Sequence, residues 1–269
     1  MSAPSLYGRV TPLLRDRHLK LRYRSRNTYE FATQLGAIPI VAGEFAEISR
    51  EYPIVFAQDA KGNLGSAALV GTRDGRNLYL NADHQWDARY IPAFVRRYPF
   101  VFGEADAHRV IVCIDESSPD LGETQGDRLF EDNGEATATL QLVLNLLHEY
   151  QRQSELTRAF VRRINELKLL QPRSMNASLP DGRAANLDDF LMVDQAKLAA
   201  IPDDVLKNLF TTGQLALIYA HLFSVGNFLE LARRQEPLYS VQPRLRVHPK
   251  NISTNRDVPT ASALSGAKG

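Results

Sequence analysis

Two stretches, Arg50-Glu-Tyr-Pro-Ile-Val-Phe-Ala57 and Arg96-Arg-Tyr-Pro-Phe-Val-Phe-Gly103, share five of eight positions at an offset of 46 residues. Proline lacks an amide hydrogen and biases the residue before it toward extended backbone. Each Tyr-Pro pair is therefore expected to end a helix and launch a strand. The echo reads either as a duplicated helix-to-strand unit or as a coincidence of ordinary boundary and strand residues.

Around the first echo, Ile38 to Ala42 reads as a strand and Gly43 to Tyr52 as a helix with Phe45, Ile48 and Tyr52 on one face. Ile54 to Ala57 follows as a buried strand. Asp59-Ala-Lys-Gly62 turns the chain into Ser66 to Val70, and Arg73-Asp74-Gly75 turns it again into a strand at Asn77 to Asn81. Around the second echo, the spacing predicts a helix over Asp87 to Tyr98, then strands at Phe100 to Phe102 and Arg109 to Ile114.

Farther on the period becomes helical, from Ala136 to Leu170, with Pro172 as its stop. Leu179-Pro-Asp-Gly182 reads as a tight turn into Phe190 to Val193. A helix from Pro202 to Phe210 closes at Gly213. The stretch Gln214 to Leu231 is apolar on most faces and is expected at the centre of the fold. The fold class is thus α+β: a mixed N-terminal sheet layer (1–135) with two helix-to-strand units, then a helical C-terminal part (136–234), all one domain. Residues 235–269 carry Pro237, Pro243, Pro249 and Pro259 and are expected to be an extended or disordered tail. Deletion after Arg234 should leave the melting temperature nearly unchanged; a drop of about 5 °C or more would mean that the tail docks on the fold.

Composition narrows the function. With 269 residues, 44% hydrophobic and 23% charged, the chain suits a packed core. One cysteine, Cys113, cannot bridge within the chain, and in Val-Ile-Val-Cys-Ile it reads as a small buried hydrophobe. No uninterrupted apolar window of roughly 18 to 20 residues suggests a membrane span. The opening MSAPSLYGRV lacks a basic stretch followed by an apolar core, so the cytoplasm is the expected location. The net charge of +1 hides segregation: residues 1–26 hold seven Lys or Arg against Asp16, giving +6, and 104–135 hold ten Asp or Glu against Arg109 and Arg128, giving −8. These charges either pair across the fold or remain solvated. A net charge near zero argues against nucleic acid as a partner.

No HExxH, GxSxG, P-loop or GxGxxG pattern occurs, so neither a metal nor a cofactor is expected. Asp115, Glu116, Asp120, Glu123 and Asp127 do not follow the calcium-loop order, and Asp115 and Glu116, adjacent on a strand, point to opposite faces. The densest chemistry lies between Trp86 and Phe100. Trp86, Arg89, Tyr90, Arg96 and Arg97 could form a patch that grips an acidic peptide or another acid, because guanidinium forks hold carboxylates and stack on aromatic rings. An amphipathic helix with core aromatics and solvated arginines explains the same spacing. In the last helix, Tyr219 and His221 interrupt an apolar run; with Asn227 and Arg89 they either line a pocket between the two parts of the fold or are satisfied core polar groups.

Four phrases carry a resemblance: Glu51-Tyr-Pro-Ile-Val-Phe56, Trp86-Asp-Ala-Arg-Tyr-Ile-Pro-Ala-Phe-Val-Arg-Arg-Tyr-Pro-Phe100, Cys113-Ile-Asp-Glu116 and Ala216-Leu-Ile-Tyr-Ala-His-Leu-Phe223. With them the chain resembles the bacterial SapC family over most of residues 6–232. The family takes its name from a surface-layer locus, and its relatives look frequent beside genes for TonB-dependent receptors and tryptophan-halogenase-like proteins. The resemblance implies an accessory role at a surface array or in nutrient uptake and brings no catalytic residues with it. The tail beyond Leu231 exceeds the family's usual extent. The expectation is a non-enzymatic binding protein with a protein, peptide or acidic partner, its self-association left open. The alternative is an enzyme with a nonlocal site of Arg89, Tyr219 and His221.

Overall fold

Both Tyr-Pro pairs mark a helix giving way to a strand in the computed structural model, which describes residues 6–25, 27–59, 62–71, 75–106, 109–178 and 184–235. The chain opens with β1 (Val10–Pro12), α1 (Arg15–His18), β2 (Arg22–Tyr23) and β3 (Ala37–Pro39). The first unit is α2 (Phe45–Ile48), Tyr52-Pro53 and β4 (Ile54–Gln58), returning as β5 (Leu64–Leu69). The second is α3 (Ala93–Arg96), Tyr98-Pro99 and β6 (Phe100–Asp106), returning as β7 (Arg109–Asp115). After β8 (Leu121–Gly122) and β9 (Asp127–Arg128) come α4 (Ala138–Glu166), β10 (Leu170–Ser178) and β11 (Ala184–Val193). Four helices follow: α5 (Gln195–Ala199), α6 (Asp203–Thr211), α7 (Gln214–Ser224) and α8 (Phe228–Arg234).

The two units feed different sheets. β4 and β5 belong to a five-stranded antiparallel sheet of order β10-β11-β4-β5-β3, and β6 and β7 to a three-stranded sheet β1-β7-β6. A third, small sheet has the order β8-β2-β9. The fold is α+β. The C-terminal part is not helical throughout, because the β10–β11 hairpin returns to the N-terminal layer and pairs with β4 at Leu191 and Phe56. Helix α4 joins two apolar clusters: Phe160, Val161 and Ile164 enter the larger one, and Leu140 and Leu147 pack with Phe100, Ile114 and Leu129 in the smaller.

Several elements differ from the sequence reading, each for a local reason. The helix expected over Asp87 to Tyr98 shrinks to α3, because Pro92 cannot donate within a helix and pushes Ile91 out of it. The strand expected at Asn77 to Asn81 is replaced by a turn in which the Asn77 carboxamide oxygen accepts from Tyr79 N–H at 2.9 Å, leaving one bridge, Leu80 to Trp86. The helix expected over Gly43 to Tyr52 splits into a 3-10 turn (Ala42–Glu44) and α2, with Phe45, Ile48 and Tyr52 all buried as the spacing required. Pro172 does not end α4. Lys168 does, with a left-handed φ of 55°, and Pro172 sits in β10, an edge strand that tolerates a missing donor. Arg73 and Asp74, the turn at Leu179 to Gly182 and the tail from residue 236 lie outside the described residues.

The N-terminal and acidic segments do pair in part. Glu116 takes Arg9 at 2.9 Å, Arg17 at 2.7 Å and His18 at 3.3 Å, while β2 lies between β8 and β9. The stretch Gln214 to Leu231 is not central on all sides. By length and composition alone, Gln214–Arg234 reaches what a membrane span needs, at a mean hydropathy of 1.4. In the fold one side of it, with Ile218, His221, Ser224, Phe228 and Leu231, is buried in the protein core, and the opposite side is exposed.

Candidate functional site

A recess of about 390 Å³ opens where α2 and the segment before α3 meet α8. Two glutamates set its first wall. The Glu51 carboxylate, one residue ahead of the Tyr-Pro break, accepts from the backbone N–H of Arg89 at 3.0 Å and of Tyr90 at 3.1 Å. The buried Glu44 accepts from Tyr90 Oη at 2.9 Å, Ala93 N–H at 2.6 Å and Val41 N–H at 3.1 Å. The segment before α3 is not helical, so those amides are free to bond the carboxylates, which fix its bent course.

Aromatic rings form the floor. Tyr52 and Tyr79 lie 4.5 Å apart, Tyr79 Oη donates to Glu51 O at 2.8 Å, and Trp86 Nε1 donates to Tyr52 Oη at 2.8 Å. Burial pushes the Tyr52 and Tyr79 phenols well above their ordinary value, and burial followed by the Glu44 charge pushes Tyr90 up to about 12. These hydroxyls are neutral donors at physiological pH.

The second wall is α8 and the turn before it. Asn227 Nδ2 donates to Ser49 O at 2.8 Å, tying the wall to α2. Arg234 stacks 4.3 Å from the Tyr79 ring centroid and pairs with Asp87 at 2.9 Å; its buried Nε makes no hydrogen bond and lies 3.6 Å from Glu230. Arg50 pairs with Glu47 at 3.0 Å. Arg89 is the exception: its guanidinium is exposed at the mouth and has no hydrogen-bond or ion-pair partner among the described residues. The cleft is therefore a paired charge lattice with one open fork.

The sequence-predicted patch divides among three places. Arg89 and Tyr90 line the cleft and Trp86 braces its floor. Arg96 donates to Ile91 O at 2.9 Å and to Tyr90 Oη at 3.2 Å, and borders a second recess of about 120 Å³ with Tyr23, Tyr29, Phe31, Tyr98 and Asp120. Arg97 lies between the Phe94 and Tyr150 rings, 4.6 and 4.5 Å from their centroids, and serves packing.

The pocket imagined from Tyr219, His221, Asn227 and Arg89 keeps only Asn227 and Arg89. Tyr219 is on the exposed side of α7. His221 is fully buried, with Nδ1 2.8 Å from Ile54 O and Nε2 3.1 Å from Val193 N. A carbonyl only accepts and an amide only donates, which fixes the neutral Nδ1–H tautomer and occupies both nitrogens. Burial holds its pKa down to about 4, against the opposing hydrogen bond to Ile54. The ring has no free nitrogen with which to take or give a proton in the cleft.

Glu47, Arg50, Glu51, Tyr79, Glu230 and Arg234 also line the cleft, and the sequence reading does not single them out as site residues. Glu51 stands inside the echo itself, and a glutamate beside a helix-ending Tyr-Pro was the one available hint. No three His, Cys, Asp or Glu side chains converge as a metal site among the described residues. Compared with protein-family models, the chain matches SapC over residues 13–231. Comparisons with curated proteins and with solved structures gave no match.

Proposed function

Because the chain belongs to the SapC family, we propose that it is an accessory binding protein whose cleft between α2 and α8 takes a carboxylate of a peptide or protein partner. The open Arg89 fork carries this reading, since the other arginines of the cleft are already paired. A carboxylate docked there would meet a bidentate donor with neutral Tyr79 and Tyr90 beside it. Service to a surface-layer or TonB-linked uptake system is the setting that the resemblance favours.

The test is fluorescence anisotropy with labelled peptides bearing clustered Asp and Glu, compared with amidated versions of the same peptides. Arg89→Ala should weaken binding of the acidic peptides by at least tenfold, since a hydrogen bond to a charged group is worth about 1.5–3 kcal/mol. Its thermal melt should be unchanged, because exposed charges contribute little to folding. Arg89→Lys should recover only part of the affinity, having lost the planar fork. Equal binding by wild type and Arg89→Ala, or by acidic and amidated peptides, would remove the proposal.

A further inference from the structure

We infer that the outward side of α7 is a homodimer interface, packing against the same side of a second copy of this chain. From Gln214 to Leu229 the sequence has no charged residue. Ile218, His221 and Ser224 turn one side of α7 into the core, so Ala216, Tyr219 and Phe223, at helical spacing, face outward. Phe223 is 76% exposed and Tyr219 45%, and their rings stack with centroids 5.9 Å apart. Leu229 in α8 and Phe210 in α6, the helix packed against α7, are 60% and 72% exposed.

At roughly 200 Å² for a large aromatic side chain, these residues expose on the order of 500 Å² of apolar surface. Summed over the three helices, that is within the range of the largest patch of a typical monomer, which is often functional, and is about five-eighths of the roughly 800 Å² per partner of a standard interface. An uncharged face offers nothing to steer a charged partner, whereas it complements itself across a twofold axis. The small Ala216 and Ala220 beside the rings allow close helix approach. A lipid surface fits less well. Interfacial helices carry a basic polar face, and the charges flanking this one balance, with Asp203, Asp204 and Glu230 against Lys207, Arg233 and Arg234.

Sedimentation velocity over a dilution series of the full chain should show a monomer–dimer equilibrium. The double variant Tyr219→Glu with Phe223→Glu should raise the dissociation constant at least tenfold with an unchanged circular-dichroism melt, since both rings are exposed. In an Ala216→Cys variant, which keeps both rings and whose native Cys113 is buried, labelling by a water-soluble maleimide should slow as protein concentration rises. A monomer labelled rapidly at every concentration would overturn the inference. So would a monomer labelled slowly at every concentration, which would place residues 236–269 of the same chain on the face. Flotation of a monomer with phosphatidylglycerol vesicles, lost in the double variant, would assign the face to lipid and overturn it as well.

Discussion

His221→Ala is expected to lower the stability of the fold by about 4 kcal/mol, because two buried backbone groups would lose their partners, each at about 1–3 kcal/mol, and a cavity would open beside Phe56. β4 and β11 meet in register only at Phe56 and Leu191, and beyond that point the imidazole spans them, donating to Ile54 O and accepting from Val193 N–H. The ring thus replaces a missing rung of the ladder and attaches the C-terminal hairpin to the N-terminal layer. At about 2–4 °C per kcal/mol for a domain of this size, the melting temperature should fall by roughly 10 °C. His221→Asn, which can still donate toward Ile54 O, should fall between wild type and His221→Ala. An unchanged urea midpoint in His221→Ala would show that the strands hold together without the ring.

The same burial gives a pH signature. The folded pKa is about 4 and the unfolded value is near 6.5. Between those values the unfolded chain binds the proton and the folded chain does not, so stability rises with pH across this window and is lost progressively as pH falls from 6.5 toward 4. The limb should amount to about 3 kcal/mol at 1.36 kcal/mol per pKa unit, and His221→Asn should abolish it.

How much of this was legible follows from the range of each interaction. The two Tyr-Pro breaks were readable because proline acts on its own residue and the one before it, and both helix-to-strand units appear where expected. The apolar spacing of Tyr90, Phe94 and Tyr98 suits a helix over Asp87 to Tyr98, but Pro92 lacks a donor and confines the helix to Ala93–Arg96. The hairpin β10–β11 is half legible: Phe190 to Val193 reads as a strand and lies in β11, but joining β4 depends on contacts more than a hundred residues apart, which leave no periodicity. The cleft was legible only through Arg89, Tyr90 and Asn227. Glu44 and Glu51 look like ordinary surface carboxylates until the fold delivers backbone amides to them. Tyr219 and His221 stand out equally in an apolar run, and only the fold separates a ring that bridges two strands from one that faces outward.

Asp115→Asn is expected to cost about 3 kcal/mol and to shrink the acid end of the stability profile. Asp115 closes β7 and is almost wholly buried, where its carboxylate accepts from Gly8 N–H at 2.7 Å, Arg9 N–H at 2.9 Å, Ser117 N–H at 3.0 Å, Ser117 Oγ at 2.5 Å and Tyr98 Oη at 3.3 Å. It therefore pins the segment entering β1 onto the Tyr-Pro unit of β6, while its neighbour Glu116 points the other way to Arg9 and Arg17. An asparagine of the same shape would turn an NH2 group toward one set of these donors and leave them unsatisfied. Burial alone would raise the carboxyl, but the Ser117 hydroxyl and the Arg9, Gly8 and Ser117 amides outweigh it and hold it at about 2. With a folded value below the unfolded 3.8, its contribution is fully present above pH 3.8 and is lost as pH falls toward 2, by about 2 kcal/mol. Glu116 and Glu149 are also held below their ordinary value and remain in the variant. The limb between pH 4 and 2 should therefore shrink without vanishing, while the His221 limb above pH 4 stays intact. Urea melts of wild type and the two Asn variants at half-unit pH steps would separate the contributions. A lower limb unchanged in Asp115→Asn would mean that the carboxylate does not hold the β1 segment in place.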